Sequence, residues 1–347
     1  MEDHPSIPQA REQLRAGRSI EAMTILMEAW RTAPGAEPLR VEFARVAREM
    51  KSLRHKQVLY QDIGEGDPRF GKAVDERYLI IQRVSESPGV SIYRAWDEKD
   101  GSERILWFFE PLWRGSDLRQ GTVLAELARI HAFAHPFAIE MKGFGAPTDD
   151  EAYAAFTPPS GRTLSKALAE GGPIPPEMAR PAIAALLDGL AAAHAAGIFH
   201  GNLRPDHVAG FDEEPKVLDL GLYSLIRALF KARKMTRTGQ IPGLLAYLPP
   251  EYERAEPPDA PWDIYTAGAV AFEVLTGSPP YGHPEPRQPR SFLMRMKDGE
   301  TPKARSTAAG AALPGWTDDL LGRMIARDPA ARFESAAAAA AAWRSSP

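Results

Sequence analysis

Residues 198–221 read IFHGNLRPDHVAGFDEEPKVLDLG, and this stretch constrains the fold more than any other. Two apolar runs, Ile198-Phe199 and Val217-Leu218, each end in a polar knot. The first knot is His200-Gly201-Asn202-Leu203-Arg204-Pro205-Asp206-His207, and the second is Asp219-Leu220-Gly221. Residues 210–215 supply the turn between them. The pattern predicts two short strands that each present polar side chains at one end.

Around this centre the chain changes character. Residues 7–51 carry Ala10, Leu14, Ala22, Leu26 and Ala29 at helical spacing. Gly17 breaks the first helix and Pro34 stops the second. Pro38 opens a third, with Leu39, Phe43, Val46 and Met50 on one stripe. Residues 52–76 are charged and glycine-containing, and read as a linker. Alternating strands are expected at 78–82, 90–95 and 104–109, a helix at 121–134, and strands at 138–143 and 152–156. From Leu164 onward helices dominate. Residues 175–196 place Ile183, Leu186, Leu190 and His194 on one stripe, and the largely apolar run 264–276 predicts a buried helix. The seven alanines at 336–342 form helix strongly and core weakly, so a capping helix is expected.

The second half carries motifs that resemble the eukaryotic-type (bacterial Ser/Thr) protein kinase superfamily. Residues 198–221 are similar to that family's H-R-D-L-K-P-x-N and D-F-G loops. GLLAYLPPE at 243–251 resembles the end of its activation segment, and WDIYTAG at 262–268 its buried helix. RDPAARF at 327–333 supplies Arg332, which the resemblance pairs with Glu251, while Asp263 is expected to bond the catalytic-loop backbone. His200 and Gly221 complete the structural set. The resemblance covers residues 78–344 and implies an α+β, two-lobed fold. The expected organisation is a helical, tetratricopeptide-like segment at 1–52 and a linker at 53–76. A β-rich small lobe at 77–156 and an α-helical large lobe at 157–347 follow. One repeat cannot bury its own core, so the N-terminal segment must dock on something, in cis or on a partner.

Phosphoryl transfer in this family needs a glycine-rich cover, a lysine paired with a helix glutamate, a base-like aspartate and two metal ligands. The cover positions are Ser85, Ser87 and Val90, with Pro88 between them and Gly89 one place early. A branched residue and a proline cannot make a flat glycine turn, so a plain hairpin is expected. Phe108 stands at the lysine position, and Glu126 at the helix glutamate. Asn202 replaces the aspartate, and an amide cannot accept a proton as a carboxylate does. Gly201 replaces the arginine that reads phosphorylation, here of Thr236 or Thr238. His207 replaces the metal-holding asparagine, a poor match for Mg²⁺. Asp219 remains as the one metal ligand. In the hinge, Phe156 takes the gatekeeper position and Thr157-Pro158-Pro159 follow. Proline offers no N–H to an adenine, leaving that edge unpaired at roughly 1–3 kcal/mol. Phe108 and Phe156 would together make the cleft apolar.

These departures imply a pseudokinase, with no catalytic residue expected and Phe108, Asn202 and His207 as the degenerate positions. It would act as a protein-binding scaffold or allosteric regulator. No cofactor is expected. Mg-ATP, held through Glu126, Thr157 and Asp219, belongs to the alternative of a divergent Ser/Thr kinase or other nucleotide-dependent transferase. The expected partner is a protein, either a true kinase or its substrate. Arg227, Lys231, Arg233, Lys234 and Arg237 form a basic cluster suited to an acidic face. A net charge of -4 gives no footprint for nucleic acid or an anionic membrane. With zero cysteines, disulfides and thiolate sites are excluded. The polar N-terminus and the lack of a long apolar run point to the cytoplasm. The Ala, Arg and Pro bias points to a GC-rich bacterium.

Overall fold

The computed structural model describes residues 4–33, 38, 39, 42, 45, 46, 69, 72–87, 89–109, 120–211, 214–232, 245–254, 257–285, 289–307 and 309–346. The chain divides into two units. One comprises Met1–Arg114 with Met141–Pro158, and the other Gly115–Glu140 with Pro159–Pro347.

The first unit opens with helices α1 (Ser6–Arg15) and α2 (Ser19–Thr32). Gly17 turns between them at φ +75°, a conformation open to glycine. Ala10, Ala22, Leu26 and Ala29 are buried together with Ile7, Met23, Leu39 and Val46. The same cluster contains Leu79 and Trp96, so the N-terminal helices dock in cis on the sheet. Phe43, Met50 and Pro34 lie outside the described residues. Glu42 is buried and chelated by Arg11, whose Nε and Nη2 donate at 3.0 and 2.9 Å, and by Arg45 Nε at 3.0 Å. Burial alone would raise its carboxyl, but these charge-assisted bonds outweigh it and hold the group below its ordinary value.

The sheet is six-stranded and antiparallel, in the order β1-β2-β3-β4-β6-β5. Its strands are β1 (Ala73–Val74), β2 (Tyr78–Ser87), β3 (Val90–Asp97), β4 (Ser102–Phe109), β5 (Met141–Thr148) and β6 (Glu151–Phe156). Strand β1 corrects the linker expectation at its C-terminal end, because Val74 is buried and Ala73 pairs with Leu79. The rest of the linker lies outside the described residues, apart from Arg69 and residues 72–76.

The second unit begins with α3 (Gln120–Ala132). This helix was expected with the sheet, yet its segment groups with the helices. Ile130 packs where a Cβ on Gly221 would come within 2.8 Å, and Arg129 Nη1 donates to Gly197 O. The strand expected at 138–143 also splits. Ile139 N donates to Val217 O within this unit, and only from Met141 does the chain join the sheet. Helices α4 (Leu164–Gly171) and α5 (Pro176–Ala195) follow. The hairpin β7 (Val208–Ala209) and β8 (Lys216–Val217) comes next, then α6 (Leu222–Ala232). Ile198-Phe199 is not a strand; the pairing falls to Val208 with Val217. Helix α7 (Ala260–Thr276) is capped by Asp259, whose Oδ1 accepts from Trp262 N at 3.0 Å. Every one of its residues from 262 to 276 is buried, as an all-round apolar helix must be. Helices α8 (Pro289–Asp298), α9 (Gly315–Met324) and α10 (Ala336–Ser345) complete the unit.

Candidate functional site

The knot at 200–207 is built from below. Asp263, fully buried in the first turn of α7, accepts from His200 N and Gly201 N at 2.7 Å each. His194 Nε2 lies 2.9 Å from the same carboxylate. Trp262 Nε1 donates to Gly201 O at 2.9 Å. Two consecutive amides aimed at one carboxylate hold residue 201 at φ +70°. Glycine takes that conformation at little cost. The second brace is the ion pair of Arg332 with Glu251, at 2.5 and 2.8 Å, with Arg332 also donating to Pro261 O at 2.9 Å and Ala326 O at 2.8 Å. The sequence led to Asp263, Glu251 and Arg332; it gave no sign of the supporting roles of His194 and Trp262, which sat unremarked in the α5 stripe and the WDIYTAG motif.

The chemical positions sit differently. Asn202 N donates to His200 Nδ1 at 3.2 Å, and Asn202 Oδ1 is buried with no hydrogen-bond partner among the described residues. His207 closes the short 3-10 turn Pro205–His207. Its Nδ1 donates to Asn202 O at 2.8 Å, and its Nε2 accepts from Arg204 Nε at 3.2 Å. Burial first, then the neighbouring His200 and Arg204, push His207 well below its ordinary value, so the ring is neutral. Both ring nitrogens are thereby used. Asp219 Oδ2 lies 3.6 Å from His207 Nε2. Asp219 takes the left-handed conformation, φ +60°, and burial pushes its carboxyl up to about 7 against the pull of Arg204. Asp206 is more than half exposed and 3.8 Å from Arg204, so it does not turn into the knot.

This donor set does not fit the metal that the kinase resemblance implies. Mg²⁺ wants several oxygen ligands in octahedral array. The second unit offers Asp219, itself unfavourable as an anion, beside an imidazole already bonded on both sides. Among the described residues no three His, Cys, Asp or Glu side chains converge as a metal set.

The remaining candidates are in or beside the sheet. Ser87 pairs directly with Val90, so β2 and β3 are joined by two residues, with Gly89 at φ +83°. Pro88 is outside the described residues. Strand β4 carries no cation from 105 to 109. Register then separates two expected neighbours. Phe108 pairs with Tyr153 and Ile105 with Phe156, so Phe108 and Phe156 lie on opposite faces. Phe108 is buried with Tyr78, Tyr93 and Tyr153, and the Arg69 guanidinium lies 4.6 Å from its ring centre. The residues of β4 on either side of that position, Trp107 and Phe109, share the face of Phe156, and both are buried and apolar. Phe108 and Phe156 therefore do not line one space. Thr157 Oγ1 is buried with no hydrogen-bond partner among the described residues. Glu126 is engaged within its own helix by Arg129, whose Nε donates at 3.1 Å. Arg227 belongs to α6, Lys231 is in the same helix, and Arg233, Lys234, Arg237, Thr236 and Thr238 fall outside the described residues.

The protein kinase domain family matches residues 112–344. Serine/threonine-protein kinase PknL of Mycobacterium tuberculosis is 28% identical over 281 residues, covering 80% of this chain and 67% of that protein. Rad53 1-466, solved in complex with AMP-PNP, aligns with a TM-score of 0.61 and 21% identity over 78% of this chain and 66% of its own. The PknI kinase domain of Mycobacterium tuberculosis aligns with a TM-score of 0.56 and 19% identity, over 77% of this chain and 95% of its own. At these identities the two solved structures speak for the fold alone.

Proposed function

The chain belongs to the protein kinase domain family, and from that premise we propose that it is a pseudokinase, a protein-binding scaffold or allosteric regulator without phosphoryl transfer. ATP binds weakly or not at all. The observation that carries this reading is the double engagement of His207, which stands where the family holds its second metal. A neutral imidazole with both nitrogens bonded offers no ligand unless Arg204 is displaced. Asn202 in place of a carboxylate and the absence of a cation from residues 105–109 of β4 support the same reading.

The partner is a protein, a catalytically competent kinase or its substrate in the first instance; neither nucleic acid nor membrane is invoked. The N-terminal helix pair, with small residues Ala10, Ala22 and Ala29 buried where it packs, supports the tetratricopeptide-like reading. Among the described residues no helix is long and apolar enough to cross a membrane, and we place the protein in the cytoplasm.

One fact favours the alternative of a divergent Ser/Thr kinase or nucleotide-dependent transferase: Asp219 keeps 24% of its side chain exposed. Calorimetric titration and thermal shift with Mg-ATP, on the wild type and on Asp219→Ala, separate the two readings. The pseudokinase gives no saturable heat and no shift. Saturable micromolar binding that disappears in Asp219→Ala overturns it.

A further inference from the structure

Alternation along three neighbouring strands assembles a corner on one face of the sheet. Phe108 of β4 stands directly opposite Tyr153 of β6, and Glu151, two residues before Tyr153, shares its face. Tyr93 of β3 pairs with Leu106, two residues from Phe108, and so joins the same face. The Tyr93 and Phe108 rings meet at 90° with their centres 5.5 Å apart, and both are buried. Into this corner comes Arg69, from the segment before β1. Its Cζ lies 4.6 Å from the Phe108 ring centre and 5.7 Å from that of Tyr93, and its Nη2 donates to Glu151. The side chains of Arg69 and Glu151 keep 15% and 24% of their surface exposed, so the corner meets solvent at its charged end. Leu79 and Trp96, which receive the N-terminal helices, face the other way, since Tyr78 and Ala95 beside them belong with Phe108. Arg69 therefore covers the face opposite the helices.

Two aromatic walls and a carboxylate suit a guanidinium. The ring faces attract its charge, and its flat surface lies on them while its N–H groups stay in plane to meet an acid. An ammonium lacks the flat surface, and a quaternary ammonium has no N–H for Glu151. We propose that this corner is an arginine-binding site, filled in the resting chain by Arg69 as an internal competitor and taking, in its place, an arginine side chain of a protein partner. Withdrawing the one side chain uncovers both rings and leaves the Glu151 carboxylate without this cation. That a partner supplies the arginine rests on the protein-binding reading; the site itself does not, and neither depends on whether the chain transfers phosphate.

Calorimetric titration of the full chain with the peptide acetyl-Gly-Arg-Gly-amide tests it. Arg69→Ala vacates the corner and is expected to bind the peptide saturably, with a Kd of about 1–10 mM. The wild type, whose own arginine competes, is expected to bind at least about tenfold more weakly. Arg69→Ala/Glu151→Gln is expected to lose about tenfold against Arg69→Ala, as are the lysine and trimethyllysine forms of the peptide. If Arg69→Ala fails to fold, Arg69→Lys decides in its place, because an ammonium holds the corner less well than the guanidinium of the peptide. No saturable binding to the opened variant, or equal affinity for it and for the wild type, overturns the site. Equal affinity for the lysine forms overturns its preference for arginine. A chain that binds the peptide as expected and also transfers phosphate keeps the site and loses only the pseudokinase reading.

Discussion

Asp263 is fully buried and Asp219 only partly so, and the two acids beside the catalytic loop have opposite fates. Asp263 receives two backbone amides and a histidine nitrogen. The Asp219 carboxyl has no such donors among the described residues of its own unit, and burial raises it from 3.8 to about 7. A raised carboxyl is protonated in the folded chain while the unfolded chain has already ionised. Its contribution is therefore fully present below about pH 4 and is lost as pH climbs from there through 7. At pH 8 the ionised group opposes folding. Asp219→Asn removes that charge, and asparagine tolerates the left-handed φ of +60°. Denaturant unfolding at pH 8 should show the variant more stable by about 1–3 kcal/mol, with the gap closing near pH 4. A family kinase that needs this aspartate for metal would show no such benefit in function. Single residues of this kind were half legible from the sequence. The identity of Asp263, Glu251 and Arg332 was plain because each is a charged residue in an apolar or motif-bound context. The reason for Gly201 was not, because a positive φ and a neighbouring ring 61 residues distant in Trp262 leave no local mark.

Elements show where pattern reading succeeds and where it stops. The long helices fell where expected, α5 from its apolar stripe and α7 from its all-round apolar run. The sheet's strands were found but not their faces, since a one-residue difference in β4 reverses which phenylalanine joins Phe156. The alanine run was undervalued. In α10, Ala336, Ala339, Ala340 and Trp343 are all buried, at the i, i+3, i+4, i+7 spacing of one face. Alanine here is a core residue because its small side chain lets α10 lie close along α5, with Trp343 Nε1 anchored on Met324 Sδ at 3.1 Å. Ala340→Leu should therefore cost about 1–3 kcal/mol by overpacking. Ala341→Leu, on the exposed side of the same helix, should stay within about 0.5 kcal/mol of wild type. Thermal melts of the two variants side by side check this, and equal melting temperatures would show that α10 does not pack as described.

At the scale of the molecule, the N-terminal helices decide how this protein is built. A lone helix pair must bury its inner face somewhere, and the sequence left a partner and the sheet equally open. The sheet supplies Leu79 and Trp96, 8% and 3% exposed, to the cluster that contains Ile7, Ala22, Leu26 and Leu39. The choice could not be read beforehand, because Leu79 and Trp96 look like ordinary members of alternating strands, and alternation does not say what covers each face. If the docking is intrinsic, deleting residues 1–46 uncovers two large side chains, each worth about 1.5–3 kcal/mol of burial. The shortened chain should melt several degrees lower and bind a hydrophobic dye that the full chain does not. Trp96→Ala in the full chain should produce part of the same loss, about 3–5 kcal/mol, with the helices still attached. Were the helices instead a repeat held free for a partner, the deletion would leave both the melting temperature and dye binding as they were. The pair of variants also separates docking from mere chain length: a stability loss in the deletion without one in Trp96→Ala would place the supporting contact elsewhere on α1 and α2.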